Sequence, residues 1–189
     1  ITDHRDEGYE MERDAFAREG VELFICPDSK NEDELIKMAA DAEVIIFTSS
    51  KFGANVINSL ENCKMIIRYG TGLDTVDIEA ASAKGIYVCN SQKYGAFSVA
   101  EHTFALLLCV NRKLMLADKC VRDNLWDFNC LTPLFSLRGK TLGILGFGNI
   151  GRLVSKMAGA FEMKVLACDP MVCDDVTDQY NIQKCGFDE

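Results

Sequence analysis

Three glycines in the segment Thr141-Leu-Gly-Ile-Leu-Gly-Phe-Gly-Asn-Ile-Gly-Arg152 are spaced G-x-G-x-x-G, at Gly146, Gly148 and Gly151. That spacing suits the phosphates of a dinucleotide for mechanical reasons. Gly146 permits a sharp turn off a strand. Gly148 carries no side chain, so a pyrophosphate can approach the main chain. Gly151 lets the helix that follows pack closely on the sheet. The N–H groups of Asn149 and Ile150 fall at the start of that helix, where the dipole favours an anion. Asp169 ends a second apolar run, 18 residues past Gly151. A carboxylate there accepts the hydroxyls of an adenosine ribose and repels a 2′-phosphate, which favours NAD over NADP. The competing reading is a glycine-rich turn of an unrelated doubly wound domain.

A second glycine pair lies in Arg68-Tyr-Gly-Thr-Gly-Leu-Asp74. Gly70 and Gly72 flank Thr71, and Asp74 is placed to cap or brace the loop. Exposed N–H groups at the carboxyl end of a parallel strand make a small anion nest, fit for a substrate carboxylate. Equally supported by the residues is a plain strand-to-helix turn that uses glycine for positive φ.

The nine cysteines are Cys26, Cys63, Cys89, Cys109, Cys120, Cys130, Cys168, Cys173 and Cys185. None forms C-x-x-C, and their odd number argues against a closed disulfide framework. Cys89, Cys109 and Cys168 sit in apolar runs, where a thiol behaves as a small hydrophobe. The two histidines, His4 and His102, are not near a cysteine pair, so no metal site is expected. The cysteines read as reduced thiols of a cytosolic protein.

These groups need a scaffold, and the first half supplies it as alternating strands and helices. Ile1-Thr2-Asp3 reads as the stub of a strand, Tyr9 to Glu19 as a helix ended by Gly20, and Val21 to Cys26 as a strand turned by Pro27-Asp28. Asn31, with Glu34 three residues on, caps a helix running to about Asp41. Val44–Phe47, Met65–Arg68 and Gly85–Cys89 read as strands; Ala54–Leu60 and Asp77–Lys84 read as helices between them. Helical segments of this length imply parallel pairing with right-handed crossovers. A domain junction is expected within Asn90 to Ala96, giving domains 1–95 and 96–189. One long helix is expected from Ser98 to Asp118; its apolar faces between Phe104 and Val110 call for burial at a domain or subunit interface. Leu137-Arg-Gly-Lys140 turns the chain into the fingerprint strand. Beyond it come one helix, Leu153 to Phe161, a strand, Lys164 to Cys168, and a third strand near Ile182 to Cys185. The expected class is α/β: a flavodoxin-like domain, then the first part of a Rossmann domain.

Composition narrows the partners. Apolar residues make up 48% of the 189, enough for packed cores. A formal net charge of −9 repels phosphate backbones and argues against nucleic acid. The apolar stretch Phe104 to Val110 is too short to span a bilayer. No secretory signal is read at the start, which points to the cytoplasm.

Three segments resemble the D-isomer-specific 2-hydroxyacid dehydrogenases, the family that includes D-3-phosphoglycerate dehydrogenase. They are Tyr69-Gly-Thr-Gly-Leu-Asp-Thr-Val-Asp-Ile-Glu-Ala-Ala81, Ser98-Val-Ala-Glu-His-Thr-Phe-Ala-Leu-Leu-Leu108 and Arg138-Gly-Lys-Thr-Leu-Gly-Ile-Leu-Gly-Phe-Gly-Asn-Ile-Gly151. The resemblance implies two doubly wound domains with the active site between them. It implies that Gly70, Thr71 and Gly72 meet the substrate carboxylate, with Thr71 also facing the cofactor. It places Asn149 and Ile150 on the pyrophosphate, Asp169 on the ribose and Val99 near the nicotinamide. The family's catalytic arginine, glutamate and histidine match nothing in this sequence and are expected after Glu189. A C-terminal helix that completes the first domain is expected to lie there too. His102 is read as structural, within the apolar helix, and His4 as a surface or loop residue.

Two departures bear on substrate and hinge. Phosphoglycerate-specific relatives often carry arginine just after the third strand, where this chain has Phe47-Thr-Ser-Ser-Lys51, so only Lys51 can help with a phosphate. Gln92 stands where the family often has proline. The first reading implied is an NAD-dependent oxidoreductase on a small D-2-hydroxy or 2-oxo acid, inactive as this chain alone and a homodimer through the cofactor domain. The second is an NAD-sensing corepressor of the C-terminal binding protein type, built on the loop Asn90 to Phe97. Apolar surface meant for absent elements is expected to promote self-association.

Overall fold

Short runs of β-branched and aromatic residues bounded by polar turns pair here as parallel strands, as such runs do when helices cover the sheet faces. The computed structural model describes residues 1–3, 8–26 and 31–188. His4 and the Pro27-Asp28 turn lie outside the described residues. The chain divides into two compact units, Ile1–Gln92 and Lys93–Glu189.

The first unit contains α1 (Glu10–Arg18), α2 (Glu32–Ala39), β1 (Val44–Phe47), α3 (Ala54–Ser59), β2 (Met65–Arg68), α4 (Ile78–Ala83) and β3 (Tyr87–Asn90). The sheet order is β1-β2-β3, all parallel, with Ile45 opposite Ile66 and Ile66 opposite Val88. Helix starts follow their side chains. Asn31 accepts the Glu34 N–H at 3.0 Å, and Asp77 accepts the Ala80 N–H at 2.9 Å, each filling a donor that a helix leaves orphaned. Gly20, at φ +68°, follows α1 as its stop. Ile45, Phe47, Phe52, Ile57, Leu60 and Ile66 form the centre of a core closed by α2, α3 and α4.

Two expected strands form no ladder among the described residues. Thr2 donates one bond to Ile46 O, 3.1 Å, and Cys26 donates one to Ile1 O, 2.8 Å. Those bonds lay Ile1–Asp3 beside β1 and the 21–26 segment beyond it, the 2-1-3-4-5 order of a flavodoxin-like sheet. Val21 and Phe24 stay exposed, so little burial supports a regular outer strand.

The second unit contains α5 (Ala96–Asn111), α6 (Leu114–Arg122), a 3-10 turn (Phe128–Leu131), β4 (Thr141–Leu145), α7 (Asn149–Ala160), β5 (Lys164–Cys168), α8 (Asp174–Gln179) and β6 (Gln183–Lys184). Its sheet, β4-β5-β6, is parallel, with Ile144 opposite Ala167. The core gathers Ala100 and Phe104 of α5, Val154 and Ala158 of α7, Phe147, Ile144 and Val165.

The single helix expected over Ser98–Asp118 is two. Lys113 adopts a left-handed conformation, φ 52°, and splits α5 from α6. Within this single chain that helix is covered on one side. α5 packs one face on α7 and buries only Ala96, Ala100 and Phe104, while Leu106 is 54% and Val110 77% exposed. Among the described residues no helix is long and apolar enough to cross a membrane.

Candidate functional site

The fingerprint turn connects β4 to α7. Gly146 takes φ +90°, a region side chains avoid, and its N–H donates to Cys168 O at 2.9 Å. Gly151 is buried against that turn: a Cβ there would lie 2.3 Å from the Gly146 carbonyl oxygen. The helix therefore packs directly on the turn, closer than any side chain permits. Gly148 is the opposite case, for a Cβ on it would meet nothing within 4 Å. It is the residue before α7, and no side chain caps the helix. The N–H groups of Asn149 and Ile150 in the first turn have no acceptor within their own helix. Free donors at a helix N-terminus are where an anion can take the place of a capping side chain.

Asp169 follows β5 and reaches across to the same turn. One carboxylate oxygen accepts the Phe147 N–H at 2.6 Å, and the other accepts the Met171 N–H at 2.8 Å. These bonds, the one from Phe147 foremost, hold its carboxyl below the usual range, so it stays ionised. A carboxylate has about four lone-pair positions, so both oxygens keep capacity for sugar hydroxyls. The bracing of the turn by Asp169 is a role that its position in the sequence did not signal. Val99 is exposed in the first turn of α5.

In the first unit three loops meet at the carboxyl ends of β1, β2 and β3, where ligands bind in open parallel sheets. The Gly70-Thr71-Gly72 turn follows β2. Its three N–H groups carry no hydrogen bond to the described residues. Neither glycine has positive φ, so of the two readings of this turn the one that needs glycine for that conformation is set aside. Crowding is the reason for Gly72: a Cβ there would lie 2.6 Å from Asp74 Oδ1 and 3.0 Å from Arg68 Nη1.

Arg68, which sequence reasoning missed as a site residue, organises this region. Its Nε donates to Thr48 O at 3.0 Å, and its Nη1 donates to Gly72 O and pairs with Asp74 at 3.2 Å. Asp74 braces the loop in that way. Asn90 donates to Thr71 O at 2.6 Å, Ser91 N–H donates to Gly70 O at 3.0 Å, and the Thr71 hydroxyl donates to Ser91 O at 3.1 Å. Asp3 holds the loop after β1, accepting the N–H groups of Thr48 at 2.7 Å, Ser50 at 2.8 Å and Ser49. Tyr69 points away and donates to Glu12 of α1 at 3.1 Å. Burial and that carboxylate push its phenol up to about 12.

Lys51 and Gln92 are exposed at the ends of these loops, and His102 is exposed on α5. All nine cysteines are free thiols, and Cys89 is exposed rather than packed as a hydrophobe. Among the described residues no cluster of three or more potential ligands could hold a metal.

The family described as D-isomer specific 2-hydroxyacid dehydrogenase, catalytic domain, matches residues 2–181. The D-3-phosphoglycerate dehydrogenase of Archaeoglobus fulgidus is 36% identical over 175 residues, covering 93% of this chain and 33% of that protein. The hydroxypyruvate reductase of Thermotoga maritima is 39% identical over 150 residues, covering 79% of this chain and 49% of that protein. The chain thus spans a third to a half of the length of these relatives. Among solved structures, an acyclic imino acid reductase in complex with NADPH and D-Arg superposes with a TM-score of 0.83 at 27% identity, over 97% of this chain and 58% of that one. The NAD-dependent formate dehydrogenase from Staphylococcus aureus in complex with NAD gives 0.80 at 26% identity, over 100% of this chain and 60% of that one.

Proposed function

The chain belongs to the family of D-isomer specific 2-hydroxyacid dehydrogenases, and on that premise we propose that it binds NAD and the carboxylate of a small D-2-hydroxy or 2-oxo acid, as part of a cytoplasmic oxidoreductase. The observation that carries this reading is the uncapped first turn of α7, open over Gly148 and closed under Gly151, with ionised Asp169 beside it. When bound, the dinucleotide supplies a hydride donor or acceptor, chemistry no side chain offers. The chain's own part is to place it. Main-chain N–H groups of Asn149 and Ile150 hold the pyrophosphate, and Asp169 holds the ribose. Val99 takes the nicotinamide. The N–H groups of Gly70, Thr71 and Gly72 take the substrate carboxylate, in a loop that Arg68 and Asn90 hold in shape.

Arg68 is engaged by Thr48, Gly72 and Asp74, which leaves Lys51 as the cation on the β1 loop for any phosphate. This favours an unphosphorylated acid. The acid/base and the arginine of the family's reaction have no matching residue in this sequence, so the chain by itself is expected to bind without turning over.

Calorimetric titration tests the reading. NAD is expected to bind saturably, and NADP about tenfold or more weakly, because each tenfold corresponds to about 1.4 kcal/mol and a 2′-phosphate meets the Asp169 charge. Asp169→Ser is expected to weaken NAD and narrow the ratio. Equal affinities for both dinucleotides in the parent chain would remove the role of Asp169; no saturable heat with NAD would remove the whole reading.

A second copy is proposed to cover the exposed face of α5 and α6, where Leu106, Val110, Leu114 and Met115 present apolar surface. Sedimentation velocity is expected to show a dimer, and Val110→Glu to shift it to monomer. A parent chain that sediments as a monomer throughout would set the dimer aside.

A further inference from the structure

Two thiols are held in contact away from the turns described above. Cys120 lies in α6 and Cys130 in the 3-10 turn, with their sulfur atoms 3.2 Å apart. Among the described residues no other two thiols are hydrogen-bonded to each other. The contact is fixed from both sides. Leu125 N–H donates to Cys120 O at 2.8 Å, closing the end of α6. Asp127 accepts the Asn129 N–H at 2.9 Å, and the Cys130 thiol donates to Asp127 O at 3.0 Å, which shapes the turn. Lys113, at the start of α6, donates to Thr132 O at 3.0 Å and ties the far end of the turn back to the helix. A disulfide needs its sulfurs about 2.05 Å apart, so this pair has only about 1 Å to close.

The pair is also reachable. Cys130 is exposed and Cys120 partly so. The hydrogen-bonded thiol of Cys120 beside it pushes the Cys130 thiol up from the ordinary cysteine range. Between the two cysteines lies Trp126, stacked edge-on against Phe128 with ring centres 5.5 Å apart; they are 79% and 66% exposed.

We propose that Cys120 and Cys130 are an oxidisable dithiol, which hydrogen peroxide converts to a disulfide that staples α6 to the 3-10 turn and fixes the loop carrying Trp126 and Phe128. The Cys130 thiol gives its proton to solvent and the thiolate attacks one peroxide oxygen; the O–O bond breaks, the departing hydroxide takes up a proton to become water, and a sulfenic acid remains. The Cys120 sulfur attacks that sulfenic sulfur, the S–S bond forms, and the S–O bond breaks with loss of water. The two sulfurs together lose two electrons to the peroxide, and the net products are one disulfide and two waters. A thiol reductant reverses it. Nothing in the step involves a dinucleotide, so it stands apart from the proposed binding function.

The test uses the whole 189-residue chain. After equimolar peroxide, alkylation and trypsin, the peptide Cys120–Arg122 is expected to be joined to Asp123–Arg138 as the main cross-link. Trp126 is the single tryptophan, so its emission reports the same event: quenching on oxidation, recovery with dithiothreitol, and neither in Cys120→Ser or Cys130→Ser. The midpoint of thermal unfolding is expected to rise by about 5 °C on oxidation, from the loop closed in the unfolded chain. Two results overturn the proposal: a sulfinic acid at Cys130 with Cys120 still alkylated, or preferential links to any of the other cysteines.

Discussion

Replacing Gly151 with alanine is expected to destabilise the second unit by about 3 kcal/mol and to abolish dinucleotide binding. The added Cβ would lie 2.3 Å from the Gly146 carbonyl oxygen, and 3.3 Å from both the Gly146 carbonyl carbon and Ile144 Cγ2. Two of these neighbours are main chain, so no rotamer change relieves the contact. Either α7 moves off the sheet or the turn moves off α7. The turn cannot move cheaply, because Gly146 at φ +90° is tied to Cys168 and Phe147 is tied to Asp169. If α7 moves, the first-turn N–H groups of Asn149 and Ile150 move with it. Gly148→Ala separates the two effects. Its Cβ would meet no protein atom within 4 Å, so stability should change by well under 1 kcal/mol while a phosphate loses its approach. Chemical denaturation and calorimetry on both variants decide the matter. A Gly151→Ala chain as stable as the parent would show that the helix does not bear on the turn. Gly148→Ala binding NAD as well as the parent would show that the main chain at Gly148 is not approached.

The contrast between the glycines shows which parts of the site could be read in advance. Gly146 and Gly151 were legible because a strand-turn-helix leaves few ways to place three glycines, and the atoms that crowd Gly151 belong to the same strand and turn, at Ile144 and Gly146. Gly70 and Gly72 gave a local pattern with two readings, a carboxylate nest and a turn needing positive φ, and only the second is set aside. Their constraint comes from a guanidinium and a carboxylate, Arg68 and Asp74, folded over the turn. The parallel strand order followed from alternation of apolar runs with helical segments. The outer segment at 21–26 carries the same kind of run yet forms no ladder, since ladder formation depends on a neighbour and on burial, not on the run. The break between α5 and α6 escaped because Lys113 is a good helix former by propensity and takes φ 52° only in its tertiary setting. The short, acidic α8 escaped because Asp174 to Gln179 has little apolar periodicity to announce it. The burial expected of α5 rested on composition, and composition reports what prefers to be covered, not what covers it.

The least legible feature is the one whose removal should cost the first unit most. Asp3 sits 45 residues from Thr48, and nothing in the intervening sequence joins them. Yet Asp3 is 2% exposed and accepts three consecutive N–H groups, from Thr48, Ser49 and Ser50, at the end of β1. Three donors pointing one way form an anion nest, and the chain fills it with its own carboxylate. Alanine at position 3 would leave those donors without a partner in a part-buried setting. At about 1–3 kcal/mol for each unsatisfied group, partly recovered by water, Asp3→Ala is expected to lose about 4 kcal/mol. Asp3→Asn keeps the shape and loses the charge, and its amide group points one N–H at another; about 2 kcal/mol is expected. Equilibrium unfolding reads both values. Hydrogen exchange reads the cause: in Asp3→Asn the Thr48, Ser49 and Ser50 amides should exchange faster, while the β4 and β5 amides keep their protection. The same loop also carries Lys51, and its Thr48 carbonyl receives Arg68, so loosening it should spread to the Gly70–Gly72 turn through that guanidinium. Slow exchange at Thr48 to Ser50 in the asparagine variant would mean the loop holds itself. Asp3 would then be a buried acid with no hold on the binding loops.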